Sequence, residues 1–572
     1  MSYIDWIVLI VTLALIVVYG LFKSRTTKNL DGYFLSNREM PWYIVLFSIM
    51  GTQASAITFL SAPGQAYTDG MRFVQYYFGL PLAMIVLCIT FVPIFHKQKL
   101  YTAYEFLEKR FDLKTRTLTS FLFLLQRGLS TGISIYAPAI ILSSLLGWNI
   151  YWTNIFMGGI LIIYTVTGGA RSVAYTQQLQ LVIIFASMFL AGYLVVRYLP
   201  EGVGLFDALK VGGAMGKVNI VTTGFKENGG FDWKDRYNLL SGIIGGFFLA
   251  LSYFGTDQSQ VGRYLTARSI RESRMGLLMN GLVKVPMQFL ILLLGILVFA
   301  FYQFNSAPLF FNKTQVDKIQ HSEHAASLQQ IQDAYQKADE EKTAFVKSLA
   351  ATGNFELTEA EKIQLANINY QRDSLRTSFK KLVEQPDIKG DANDTNYIFL
   401  RFVMDYLPKG LVGLLIAVIF ISSWGSIAAA LNSLSSSTIV DVHKKFINRN
   451  MTDRDDYRVS KIYTLGWGIF CIVVAQFAYN IGNSLIEAVN ILGSLFYGVI
   501  LGVFLLAFYF KSVKGNAVFW SAILGEIVII GLFILNENKV IDLSFLWLNA
   551  IGAIVVVLFA VILQSFSAKK LA

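Results

Sequence analysis

About thirteen stretches of this chain are apolar for roughly twenty residues each. That is the length an α-helix needs to cross the hydrocarbon of a bilayer. They lie near 4–22, 41–65, 72–96, 115–147, 150–167, 173–198, 238–262, 275–303, 396–440, 457–480, 484–510, 516–536 and 542–566. In lipid every backbone N–H and C=O must be paired inside the protein, so only helices and closed barrels span it. Barrel strands read as short alternating segments, and these runs do not alternate. The expected fold class is therefore an all-α polytopic membrane protein. Charge agrees, because 15% of the residues are charged, against roughly 25% in an ordinary soluble chain.

The first run, "IDWIVLIVTLALIVVYGLF", has no basic stretch before it and no small-residue cleavage pattern after it. Its positive flank, "KSRTTK", follows it. We expect a retained helix with its N-terminus outside, not a signal peptide. From that start the inner loops are "KSRTTKNLDGYFLSNR", "HKQKLYTAYEFLEKRFDLKTR", "GGARS", "GRYLTARSIRESR", "HKKFINRNMTDRDDYRVSK", "KSVKGN" and the tail "AKK". Each carries Lys or Arg, whereas outer loops such as "LGWN" and "YNIGNS" carry almost none. The bias predicts a multi-pass protein of the cell (inner or plasma) membrane, N-terminus outside and C-terminus cytoplasmic. It also accounts for the net charge of +11 without a nucleic-acid partner. Cys88 and Cys471 both fall inside apolar runs, which argues against a disulfide framework.

Two outer segments are longer. Residues 199–237 are mixed and glycine-containing. Residues 304–395 form a polar insertion rich in Ala, Gln, Glu, Lys and Leu, with Gly353 and Asn354 midway. "LTEAEK" is a helix start, Thr358 capping and Glu361 three residues on. An external helical hairpin is expected, free to dock an external protein partner, act as a lid or decorate. His321 and His324 stand three apart, as metal ligands on one helical face would, but solvated surface is the plainer reading.

Three spans carry polar chemistry. "MGTQASAITFLSAPGQAY" (50–67) crowds Gly51, Thr52, Gln53, Ser55, Thr58, Pro63 and Gly64 into a membrane segment. Gly and Pro are tolerated there where backbone lines a cavity or is buried in protein, and an interrupted helix frees carbonyl oxygens that suit a hard cation. Close helix packing through small residues is the alternative. "FISSWGSIAAALNSLSSST" (420–438) places Ser422, Gly425, Ser426 and Ala429 on one helical face, though serines in a span also bond back to their own helix. "LALSYFGTDQSQVGRYL" (249–265) interrupts an apolar run with Tyr253, Gly255, Thr256 and Asp257, and Asp257 is expected at the membrane interface. Two interrupted helices, one in each half, point to an inverted-repeat secondary transporter.

The motifs "GYFLSNREMPWYIVLFSIMGTQASAITFLSAPGQAY", "YTAYEFLEKRF", "YTVTGGARSVAYTQQLQ", "DQSQVGRYLTARS" and "GLVGLLIAVIFISSWGSIAAALNSLSSSTIVDV" resemble those of the sodium/solute symporters. That family is the sodium–glucose, monocarboxylate, multivitamin and iodide cotransporter group. The resemblance covers about residues 1–303 and 396–510 and looks closest to the iodide, monocarboxylate and multivitamin branch. It implies a LeuT-type fold of 5+5 inverted repeats. The repeats would be 41–198, then 238–303 with 396–510, after an N-terminal unit 1–40 and before C-terminal extra helices at 511–572.

The resemblance also implies a coupling sodium ion held by the carbonyls of Gly51, Ala54, Ser422 and Gly425 and the hydroxyl of Ser426. Many members have a hydroxyl where Gly425 stands. Some members bind a second sodium; the matching positions here are Gln177, Ala428 and Ala429, which lack the carboxylate and both hydroxyls. One coupling ion per cycle is the expectation. The implied substrate contacts are Gln53, Ser55, Thr58, Tyr76, Tyr77, Leu80, Tyr253, Lys284 and Asn490. Each tyrosine equally fits helix packing or an interfacial belt, and Lys284 fits snorkelling to the interface.

The expected function is sodium-coupled symport of a small organic solute, a monocarboxylate-like anion by branch resemblance, with a sugar or sialic acid as alternative. Rival readings are a proton-coupled or uncoupled carrier on the same fold, a membrane sensor and a membrane enzyme. A sensor would be expected to carry a soluble domain after the last span, where this sequence has "SFSAKKLA". No nucleophile–His–carboxylate set, metal cluster or phosphate loop is visible in the spans, and the four histidines fall in loops, so no catalytic residue is assigned.

Overall fold

The computed structural model describes residues 1–23, 29–226, 229–351, 357–478 and 484–569. The loop stretches 24–28 and 479–483, the tail beyond 569, and Gly353 and Asn354 lie outside these. Within the described residues the chain is helical, with isolated bridges at Met40–Ala267 and Phe225–Phe231 in place of strands.

The membrane helices are α1 (Tyr3–Lys23), α2 (Trp42–Gln53), α3 (Ala56–Asp69), α4 (Met71–Lys97), α5 (Leu113–Leu146), α6 (Ile150–Val166), α7 (Gly169–Arg197), α8 (Ser241–Thr256) and α9 (Ile270–Phe304). The insertion holds α10 (Lys313–Gln320), α11 (Ala325–Ala351) and α12 (Glu359–Val383). Then come α13 (Leu411–Ser437), α14 (Asp453–Gln476), α15 (Leu485–Tyr509), α16 (Gly515–Glu537) and α17 (Phe545–Lys569). Ten of the described helical spans are long and apolar enough to cross a membrane, and the pair α2–α3, bent by 60°, makes eleven. The figure of thirteen is reached only by adding α6 and α8, which are apolar but shorter.

Several boundaries differ from expectation for local reasons. The span expected from 396 begins at Leu411. Pro408 supplies no N–H and Gly410 turns with φ 88°, so Ile398–Tyr406 forms a separate helix. Gly169, at φ 64° against the ring of Tyr33, separates α6 from α7. His96 and His443 lie not in loops but on the last helical turns of α4 and of the π-helix Thr438–Ile447.

Helix α13 is apolar all round and is buried accordingly, packed against α1, α5, α6–α7 and α14. Most of its serines bond back to their own helix, while Ser435 Oγ donates to the Ser460 carbonyl of α14 at 2.8 Å. Ser422 Oγ donates to the Ile419 carbonyl at 2.9 Å, Ser423 Oγ to the same carbonyl at 3.0 Å, and Ser433 Oγ to Ala430 at 2.7 Å. Below it, buried Asp441 accepts from Arg116 Nε at 2.8 Å and from Thr102 Oγ1 at 2.8 Å.

In the insertion α11 packs on α12 over a core that includes Ile319, Leu328, Tyr335, Phe379 and Ile388. Thr358 and Glu361 close a reciprocal capping box at the start of α12. Arg376 pairs with Asp394 at 2.8 Å, and Arg372 with Asp339 at 2.8 Å. Buried Lys342 holds the Tyr302 carbonyl and Asp339, and burial pushes its ammonium down to about 8. These contacts seat the insertion on the end of α3. Tyr67 lies among Phe299, Tyr302 and Phe311. At Gly64 a Cβ would come within 2.0 Å of the Thr395 carbonyl, so only glycine allows this approach.

Candidate binding site

The site begins where α2 stops. The Ser55 N–H, which a continuous helix would give to the Gly51 carbonyl, bonds Gln53 O at 3.1 Å. The Thr58 N–H bonds Ser55 O at 2.9 Å and leaves the Ala54 carbonyl. The break thus releases the two carbonyls that the sequence singles out.

On the facing helix, Ser426 Oγ donates to the carbonyls of Ser422 and Ser423, each at 3.1 Å. Its proton points back along α13 and its lone pairs stay available. Between α2 and α13 lies Gln177 of α7, buried. It accepts from Ser48 Oγ at 2.9 Å and donates Nε2 to Thr52 Oγ1 at 3.2 Å and to the Gly425 carbonyl at 3.1 Å. A Cβ at Gly51 would meet Gln177 at 2.8 Å, and one at Gly425 would meet Gln180 Oε1 at 2.6 Å and Gln177 Cγ at 3.2 Å. Gly425 therefore has no room for a side chain, the amide oxygen of Gln180 filling the space that a hydroxymethyl would need. Ala428 and Ala429 are fully buried methyl groups with no oxygen to offer beyond the backbone.

A cavity of about 130 Å³ opens beside this break. Gln53, Ser55, Thr58, Tyr76, Tyr77, Leu80, Tyr253 and Asn490 line it, as does Ser426. Tyr76 Oη donates to Asn490 Oδ1 at 3.1 Å, joining α4 to α15 across it. Among the predicted ion ligands, Gly51, Ala54, Ser422 and Gly425 stand behind the lining rather than in it. Lys284 is also outside it. It does not snorkel: it is 1% exposed, its Nζ sits 5.7 Å from the Tyr77 ring centroid, and it has no ion pair among the described residues.

Sequence reasoning missed the charged floor of the cavity. Arg127 of α5, which lines it, forms an ion pair with Asp257. Tyr497 Oη donates to Asp257 Oδ2 at 2.8 Å, Arg127 donates to Tyr497 Oη at 3.1 Å, and the Tyr253 ring lies 5.4 Å from the guanidinium. Asp257 is thus fully buried and not at the interface; it also caps Gln258–Tyr264 by accepting from the Ser259 N–H at 2.8 Å. The available signal was Arg127 itself, an arginine inside an apolar run, since charge in a span marks a functional pathway. Two polar atoms of the lining are buried with no partner among the described residues: Arg127 Nε, a donor, and Gln53 Oε1, an acceptor. A solute that enters meets both, together with the hydroxyls of Thr131 and Ser134.

Comparison with known proteins agrees with this architecture. The family model described as Sodium:solute symporter family matches residues 33–329 and 380–525. The sodium/sialic acid symporter NanT of Aliivibrio fischeri is 24% identical over 97% of this chain and 91% of its own length. A putative sodium-dependent multivitamin transporter of Drosophila melanogaster is 25% identical over 88% of this chain and 70% of its own length. Among solved structures, the substrate-bound outward-open state of a Na+-coupled sialic acid symporter superposes with a TM-score of 0.74. It covers 99% of this chain and 98% of its own at 21% identity.

Proposed function

The chain belongs to the sodium:solute symporter family, and on that premise we propose that it imports a small organic anion together with one sodium ion. Sodium is the coupling ion, and the chain is a multi-pass membrane protein. The observation that carries the substrate reading is the cavity floor. Arg127 and Asp257 neutralise one another, whereas Lys284, buried with no ion pair among the described residues, disfavours its own charge, and a monocarboxylate beside it would hold the ammonium form. The Arg127 Nε–H gives such a carboxylate a direct donor, and Gln53 Oε1 suits a hydroxyl on the same solute. A volume of about 130 Å³ resembles that of a cavity that holds one benzene ring, which favours a small solute. The sialic acid relatives favour a second reading, a sugar acid admitted when the cavity widens.

The ion would sit between the carbonyls of Gly51 and Ala54 and those of Ser422 and Gly425, with Ser426 Oγ as fifth ligand. Gln177 supports a single ion, because its neutral amide donates to the Thr52 hydroxyl and to one lone pair of the Gly425 carbonyl, whose other lone pair is left for the one ion. The ion joins the broken helix to α13 one side chain away from the solute, so each ligand raises affinity for the other. One sodium ion with one monoanion moves no net charge, so the sodium gradient drives this uptake, whereas a neutral sugar would also gain about 2.3 kcal/mol per 100 mV from the membrane potential. In this reading α6 and α8 also cross, and the bundle rocks as repeats 41–198 and 238–303 with 396–510.

Proteoliposome uptake of labelled monocarboxylates, sugars, sialic acid and vitamins, with and without sodium at fixed pH, tests this. Sodium-dependent uptake of a monocarboxylate with a Hill coefficient near one is expected. A coefficient near two, or uptake driven by protons alone, refutes the stoichiometry or the ion.

A further inference from the structure

The insertion holds a cluster that transport does not use. His324 lies in the turn before α11 and Asp387 in the loop after α12, 63 residues apart. We propose that Glu323, His324 and Asp387 form a surface site for a divalent first-row transition ion, zinc being its best probe. Each offers one ligand atom, and the three atoms lie within 4.8 Å of one another. His324 Nε2 and Asp387 Oδ2 are 3.1 Å apart. Two ligands at zinc's bond length of about 2.0–2.1 Å in a tetrahedron are about 3.3 Å apart. The two atoms share a proton in a hydrogen bond; an ion that binds both would displace it to solvent, and their spacing then already matches one edge of the coordination shell. Glu323 needs only a rotamer change, which its exposure allows.

The backbones that carry these ligands are fixed on both sides. The Leu328 N–H bonds the His324 carbonyl at 2.9 Å, and the His324 N–H bonds Ser322 Oγ at 3.2 Å. The N–H groups of Ile388 and Lys389 both bond the Gln385 carbonyl, at 3.0 and 2.8 Å. Ile319 and Ile388, buried in one core, hold the two segments together. Two carboxylates and a neutral imidazole balance a divalent ion, and the nitrogen ligand selects against magnesium and calcium. Water takes the fourth position. His321, expected from the sequence to share a face with His324, instead turns its Nδ1 to the Asp317 carbonyl at 2.7 Å and is not a ligand. The bound ion would pin the two ends of the α11–α12 hairpin, with the loop-closure gain that such a clip brings.

The test is zinc titration of the purified full-length chain in detergent, after chelator treatment, by calorimetry and thermal melting. One zinc per chain is expected at micromolar half-saturation, with a melting rise of about 2 °C or more at saturation. His324→Ala and Asp387→Asn should each raise the half-saturating zinc at least about tenfold, while His321→Ala and millimolar magnesium leave the curves unchanged. Melting in chelator, and His324→Gln beside His324→Ala, separate lost binding from lost folding. No zinc-linked heat or melting shift in the wild type overturns the site, as does binding that survives both ligand variants or is lost equally in His321→Ala.

Discussion

Ser426→Ala probes the ion site with little other disturbance. The hydroxyl proton is directed at the Ser422 and Ser423 carbonyls, so what alanine removes from a cation is one oxygen with free lone pairs. A hydrogen bond to a charged group contributes about 1.5–3 kcal/mol. Ser426 also lines the cavity, so a water can partly replace the lost ligand and reduce the loss to about 1–2 kcal/mol. The half-saturating sodium should therefore rise about 5- to 30-fold. Radiosodium binding to purified protein measures this without knowledge of the solute. Alanine is the best helix former, so melting in sodium-free buffer should hold. Ser423→Ala is the control: its hydroxyl is turned to the Ile419 carbonyl at 3.0 Å, and its sodium curve should not move. A Ser426→Ala curve within about twofold of wild type, or an equal shift in Ser423→Ala, refutes the ligand assignment.

Other outcomes follow from the same geometry. Asp257→Ala strands Arg127, and breaking a buried pair from one side costs about 3–5 kcal/mol. Melting should fall sharply, while Arg127→Leu combined with Asp257→Leu restores folding but not uptake. Gly64→Ala sets a methyl against the Thr395 carbonyl at 2.0 Å and should abolish folded protein in size-exclusion chromatography. Gly159→Ala, with nothing within 4 Å, should instead stabilise by up to about 1 kcal/mol. Burial raises the Asp391 carboxyl to about 6. Its folded-state value lies above the unfolded one, so its stabilising effect is full below pH 4 and lost as pH rises through 6. Asp391→Asn should remove that slope and raise stability at pH 7.5 by about 2 kcal/mol or less, read as melting temperature against pH.

The spans and the break at residues 51–55 were legible because apolar length and misplaced glycines are local signals. Part of the cavity lining was legible through family resemblance, residue by residue, but Arg127, Thr131 and Ser134 were not, and Lys284 lies outside the lining. The pairing of Arg127 with Asp257 was not legible, because 130 residues separate them and no local pattern joins one to the other. The same holds for Gly425 and Gln180. Read alone, Gly425 looks like a lost ligand, and only the packing of α7 on α13 shows that a side chain there has no room. The late start of α13 was written in "LPKG", but a hydropathy window averages across such punctuation.

The contact at Gly64 has a mechanical consequence. Its neighbour is the Thr395 carbonyl, the preceding residue Asp394 is tied to Arg376, and Arg376 is on α12, whose Tyr370 is 77% exposed. Force applied at one end of this chain arrives at the other. The insertion is thus joined to α3 backbone against backbone, and any movement of α3 should carry α12 with it. A fluorophore at position 370 should report each swing of α3 in real time, and an antibody fragment clamped on α12 should stall turnover without touching the pore.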